Sequence, residues 1–95
     1  MISLEEQLFK TVKDRDNENI QKWIQAGANI NARDQNGQTA AMIATYNNDL
    51  ISAKALIKAG ADVNIQDCDG VSPLSHAKSR GFREIEDILI HAGAR

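Results

Sequence analysis

Three side chains in this sequence carry the chemistry of a nucleophile, a base or a metal ligand: Cys68, His76 and His91. A cysteine beside a histidine base would support thiol chemistry, hydrolytic or redox, if the base reached the sulfur. Cys68 and His76 are eight residues apart, which does not by itself bring them into contact. His91 falls in the last turn of a helical stretch, where a partly charged imidazole suits the negative end of the helix dipole. Zinc sites need paired ligands, and the sequence has no Cys-x-x-Cys or His-x-x-x-His spacing. The six glycines read as turns and helix stops, not as a phosphate-binding loop. Both histidines are therefore read as structural or solvated, and no catalytic residue, cofactor or metal is expected.

The elements that hold these residues follow from composition and repetition. At 95 residues the chain is expected to form one domain, 1–95, with a modest core. Hydrophobic residues make up 42%, which argues against disorder, and aromatics only 4%, so Ile, Leu and Ala must build the core. The net charge of −2 offers no excess of cations to neutralise phosphates, so nucleic acid is not an expected partner. No apolar run approaches the roughly 18–20 residues of a membrane span. The opening MISLEEQLFK lacks the apolar stretch of a signal peptide. One cysteine excludes an internal disulfide and favours a reducing, cytoplasmic location.

The chain repeats itself. Ala26-Gly27-Ala28, Ala59-Gly60-Ala61 and Ala92-Gly93-Ala94 stand 33 residues apart, twice. The residues before each triplet are also related: Trp23-Ile24, Leu56-Ile57 and Leu89-Ile90. Asp34-Gln35-Asn36-Gly37 returns as Asp67-Cys68-Asp69-Gly70, and Asn31 as Asn64, all at the same offset. Two helices fit each period. Thr39 and Ser72 are placed to cap the first, with Pro73 at a first helical position where its missing N–H is harmless. That helix is expected to end near Tyr46 and Ser79. A break follows at Asn48 and Gly81, which both tolerate a left-handed backbone. Asp49 can cap the second helix, whose Leu50, Ala53, Leu56 and Ile57 share one apolar face. Gly60 stops it from the C′ position, as do Gly27 and Gly93 in the outer repeats. Between helix pairs, Asn36-Gly37 and Asp69-Gly70 predict a hairpin finger or an extended tight turn. Asp34 and Asp67 are read as turn residues that bond nearby backbone. Trp23, in the register of Leu56 and Leu89, is assigned to the core.

A 33-residue period of turn, helix and helix resembles the ankyrin repeat. The middle repeat carries the family pattern at Asp34, Gly37, Thr39, Ala44, Leu56, Ile57, Gly60, Ala61 and Asn64. The last carries it at Asp67, Gly70, Ser72, Pro73, Leu74, Ala77, Leu89, Ile90, Gly93 and Ala94. The first matches only through Trp23, Ile24, Gly27, Ala28 and Asn31. Departures are Ala40-Ala41-Met42 in place of Pro-Leu-His, and Ser75 where the family has histidine. The resemblance implies an all-α fold: an ankyrin-repeat solenoid of stacked helix pairs with short β-hairpin or turn fingers. The repeats are placed at about 1–33, 34–66 and 67–95. Glu5, Glu6, Lys10 and Lys13 would give the first repeat, and Arg83, Glu84, Glu86 and Asp87 the last, the polar outer positions of capping repeats.

The resemblance also implies function. The chain would be a non-catalytic module that binds another protein through finger tips and the concave side of the first helices, as an inhibitor or a scaffold. The positions carried over are Arg33, Gln35, Asn36 and Gln38 on the first finger, and Gln66, Cys68, Asp69 and Val71 on the second. Lys13, Asp14, Tyr46, Asn47, Ser79 and Arg80 stand at the ends of the first helices. Tyr46 and Arg33 are the expected anchors, being residue types enriched at binding hot spots. Ile51 and Phe82 either cover neighbouring helices or form a second contact patch. The alternatives are a thiol enzyme built on Cys68, and a piece of a longer array with no activity alone. A monomer is expected.

Overall fold

The computed structural model describes residues 3–95. Among these residues six helices follow in order: α1 Leu4–Lys13, α2 Ile20–Gln25, α3 Ala40–Tyr46, α4 Leu50–Lys58, α5 Pro73–Arg80 and α6 Arg83–His91. Each begins and ends for local reasons. The hydroxyls of Ser3, Thr39 and Ser72 accept from the backbone N–H three residues on, at 3.1, 3.3 and 3.1 Å. In the two later repeats, Met42 and Ser75 close the reciprocal half of the cap, accepting from the N–H of Thr39 and Ser72 at 3.4 and 3.0 Å. Asp49 caps α4 through the N–H of Ser52 at 3.2 Å, as expected.

All six helices stop through the same pair of bonds. At α4, Gly60 N–H reaches the carbonyl of Ile57 and Ala61 N–H that of Leu56, each at 3.0 Å, with Gly60 at φ +97. The first helix of every repeat ends in the same left-handed turn, at Arg15, Asn48 and Gly81. Asn48 and Gly81 are the two expected from sequence; Arg15, 33 residues before Asn48, completes the series.

Helices pair within each repeat as α1/α2, α3/α4 and α5/α6. The first helices then stack as one layer, α1, α3 and α5, and the second helices as another, α2, α4 and α6. The result extends 37 × 26 × 21 Å. Two apolar clusters lie between the layers. One joins Leu8, Phe9, Val12, Ile20, Ala40, Ile43, Ala44, Ala53 and Leu56 across the first two repeats. The other joins Val63, Leu74, Ala77, Ile85 and Leu89 at the third. Aliphatic side chains dominate both, and alanines let α3, lying between α1 and α5, approach its neighbours closely. Trp23 does not share the full burial of Leu56 and Leu89. It is half-buried at the edge of the first cluster, and its indole N–H donates to the Thr11 hydroxyl at 2.8 Å. Phe82 covers the second cluster, whereas Ile51 is exposed.

No strand forms among the described residues, so the connections are tight turns and not β-hairpins. Each is organised by one aspartate. Asp34 Oδ1 accepts from the N–H of Asn36 and Gln38 at 2.9 and 3.0 Å, and Asp67 Oδ1 does the same for Asp69 and Val71. Two backbone bonds close the first finger, Asp34 N–H to the carbonyl of Gln38 at 2.9 Å and Gly37 N–H to that of Asp34 at 3.0 Å.

Candidate functional site

The two fingers stack directly on one another. A Cβ built on Gly37 would lie 2.6 Å from Cys68 Sγ and 3.1 Å from Cys68 N, so only glycine fits beneath the second finger. At Gly70 the equivalent space is open. The cysteine thus packs against the neighbouring finger through a backbone approach, while its residue as a whole remains exposed. Among the described residues no base is hydrogen-bonded to it, and the His76 ring lies instead against Tyr46, at 4.2 Å between centroids. The geometry does not favour a thiol enzyme. His91 is exposed, its Nδ1 2.7 Å from the carbonyl of Asp87.

Arg33, Gln35, Asn36, Gln66, Cys68, Asp69, Ser79 and Arg80 are exposed; Gln38, Tyr46, Asn47 and Val71 are half-buried. Tyr46 is engaged within the protein. Its hydroxyl donates to Asp67 Oδ2 at 3.0 Å, joining α3 to the second finger, and its ring covers His76 on α5. Burial, reinforced by the Asp67 carboxylate, raises the phenol well above its ordinary range. Asn47 is tied too, its carbonyl accepting from Arg15 Nη2. Ser79 donates to the carbonyl of His76 at 2.9 Å.

The structure brings one subset together. A groove of about 760 Å³ opens between α1 and the first finger. Arg33, Asp34 and Gln35 form the finger wall, and Phe9, Lys13 and Asp14 line the helix side with Glu6 and Lys10. The second finger and Ser79–Arg80 lie outside this groove. Glu6, Phe9 and Lys10 are contributors that sequence reasoning missed. Their i, i+3, i+4 spacing on α1 was the available signal, but without the bend of the chain it did not say which face the finger overhangs. Glu5, read as an outer polar position, serves the fold internally, since its carboxylate accepts from Asn29 N–H at 2.8 Å.

Stacked turn–helix–helix units presenting their turns along one edge define a helical repeat protein of the solenoid class. The chain belongs to the ankyrin repeat family: the family model described as "Ankyrin repeats (3 copies)" matches residues 8–95. It is 35% identical over 95 residues to a putative E3 ubiquitin-protein ligase, XBAT34, of Arabidopsis thaliana, covering 97% of this chain and 25% of that protein. It is 31% identical over 90 residues to the ankyrin repeat domain-containing protein SAT10 of Stachybotrys chartarum, covering 95% of this chain and 5% of that protein. It is 38% identical over 73 residues to the nuclear factor NF-kappa-B p105 subunit of Gallus gallus, covering 75% and 7%. The chain therefore spans a quarter or less of the length of these curated relatives. Ankyrin repeats are generally protein–protein interaction modules and typically non-enzymatic. Among the described residues no helix is long and apolar enough to cross a membrane, and no cluster of three or more His, Cys, Asp or Glu is arranged to hold a metal ion.

Proposed function

We propose that this chain is a non-catalytic protein-binding module that acts as a monomer in a reducing compartment such as the cytoplasm. It engages its partner along the finger tips and the adjoining side of the first helices. The observation that carries this reading is the groove between α1 and the first finger. Arg33, Gln35, Lys10 and Lys13 line it and, among the described residues, their side chains hold no turn, while Asp34 holds the finger beneath them. A wall fixed in advance lowers the ordering cost of association. The module works by occlusion or by scaffolding, and Arg33 is its principal anchor. Tyr46 supports the surface from within.

Capture from the native lysate tests this. Arg33→Ala/Lys13→Ala should lose a stoichiometric partner while keeping its helicity, and Lys22→Ala on α2 should retain it. A partner kept equally by both variants would reject the site. The short span relative to the relatives favours a second reading, in which the module is an adaptor that brings partners to an activity carried elsewhere in a longer chain. Size and sequence of the endogenous protein separate the two.

A further inference from the structure

The second-helix layer carries a feature that the finger surface does not use. Between α4 and α6 runs a groove of about 440 Å³, floored by Ile57, Ile88 and Ala92. Lys54 and Lys58 form the α4 wall, and Asp87 and His91 the α6 wall. Ile51, 63% exposed, lies three residues before Lys54 and extends the same helix face. Among the described residues Lys54, Lys58 and Asp87 have no hydrogen-bonded partner for their side chains.

The charges on these walls are not required by the fold. Thirty-three residues before Lys54 and Lys58 stand Gln21 and Gln25, and thirty-three after stand Asp87 and His91. The acids of the middle repeat are held away from the lysines. Asp34 organises its turn, Asp49 is buried as the α4 cap, and Asp62 accepts from Asn64 N–H at 2.9 Å. The α4 wall is therefore cationic, the floor apolar, and the opposite wall carries an acid. Lys54 and Lys58 are one turn apart, about 6 Å along the axis, the spacing of two side chains at i and i+4 on a facing helix.

We propose that this seam docks an amphipathic helix of another protein, with apolar residues in the groove and carboxylates along the edge that meets α4. The complementarity that selects it is the lysine pair beside an apolar floor, with Asp87 rejecting an acid on the other edge. The site shares no residue with the groove between α1 and the first finger.

The test uses a stapled amphipathic peptide of about 14 residues, roughly four helical turns. It has leucines on one stripe and glutamates at i and i+4 beside them, and its counterpart carries lysines in place of the glutamates. Binding is read by fluorescence anisotropy and by amide shifts in NMR. The glutamate peptide should bind the full chain and shift the amides around Lys54, Ile57 and Ala92. Lys54→Glu/Lys58→Glu should weaken it at least tenfold and should favour the lysine peptide instead. Ala92→Glu, at an exposed position, should also weaken it. Equal affinity for both peptides, absence of binding, or shifts confined to the finger surface would overturn the proposal. So would a dimer, seen by sedimentation, that Lys54→Glu/Lys58→Glu abolishes, since the occupant would then be a second copy. Arg33→Ala should leave peptide binding unchanged, which keeps this outcome separate from that of the finger surface.

Discussion

The carboxylate of Glu5 holds the backbone N–H of Asn29 at 2.8 Å, doing for the first loop what asparagine does for the other two. Asn31 Oδ1 accepts from Asp62 N–H at 2.8 Å, and Asn64 Oδ1 accepts from Arg95 N–H at 3.0 Å. The three donors, at 29, 62 and 95, are one repeat apart. These bonds run along the edge of the stack and fix the spacing of successive loops. Glu5→Ala should lower stability by about 1 kcal/mol, and Glu5→Gln by less because its amide oxygen still accepts. Urea midpoints at constant slope would measure both. Equal losses would mean that the charge, not the acceptor, matters.

Gly37 and Gly60 separate the two reasons for glycine. Both have positive φ, +73 and +97, but only Gly37 faces a close neighbour. Gly60→Ala should cost about 1 kcal/mol for the left-handed backbone alone. Gly37→Ala should cost more, about 2–3 kcal/mol, since overpacking against Cys68 adds to the strain. Cys68→Ala should recover part of that difference in the double variant, because the sulfur is the nearest atom. Strict additivity in the denaturation cycle would contradict the contact.

Arg15 and Asn48 occupy the left-handed position that Gly81 fills in the third repeat, at φ 57 and 52. Asn48→Gly should raise stability by about 0.5–1 kcal/mol by relieving that backbone cost. Arg15→Gly relieves a larger backbone cost, because arginine lacks asparagine's tolerance of that region, but it loses the bond from Arg15 to the Asn47 carbonyl, so its net change should be near zero. Thermal midpoints of the two variants, compared side by side, check the contrast.

His76 makes the junction of the last two repeats sensitive to acid. Burial beneath Tyr46 pushes its imidazole below the ordinary value of 6.5; Arg80 adds to this, while Asp67 opposes it. Its Nε2 is buried without a partner among the described residues. A folded-state pKa below the unfolded one means that the unfolded chain binds the proton first. The contribution of His76 is thus complete above about pH 6.5 and declines as pH falls through that value toward the folded pKa. Asp67, held below the usual carboxylate range chiefly by the Val71 N–H, adds a separate loss only at lower pH, below its unfolded value. His76→Gln should flatten the first decline and leave most of the second, since His76 is the least of the influences on Asp67. An NMR titration placing His76 at or above 6.5 would contradict this account, and Tyr46→Ala should move it upward by opening the ring to water.

The sequence by itself determined the repeat, its period and the helix ends of the second and third repeats. These are local quantities: a cap reads the residue three positions on, a stop reads a glycine, and an aspartate closes a turn through its own neighbours. The family membership and the aliphatic core followed from the same periodic signal. Position across the stack was another matter. That Tyr46 would bond Asp67 and cover His76, and that Glu5 would reach Asn29, depend on contacts between residues more than twenty apart. Trp23 shows the limit most clearly. Its register matched two buried leucines, yet only the tertiary structure placed its indole N–H beside Thr11 at the rim. The grooves belong to the same category, since a groove is a gap between elements, and its walls are decided by how far apart packing leaves them.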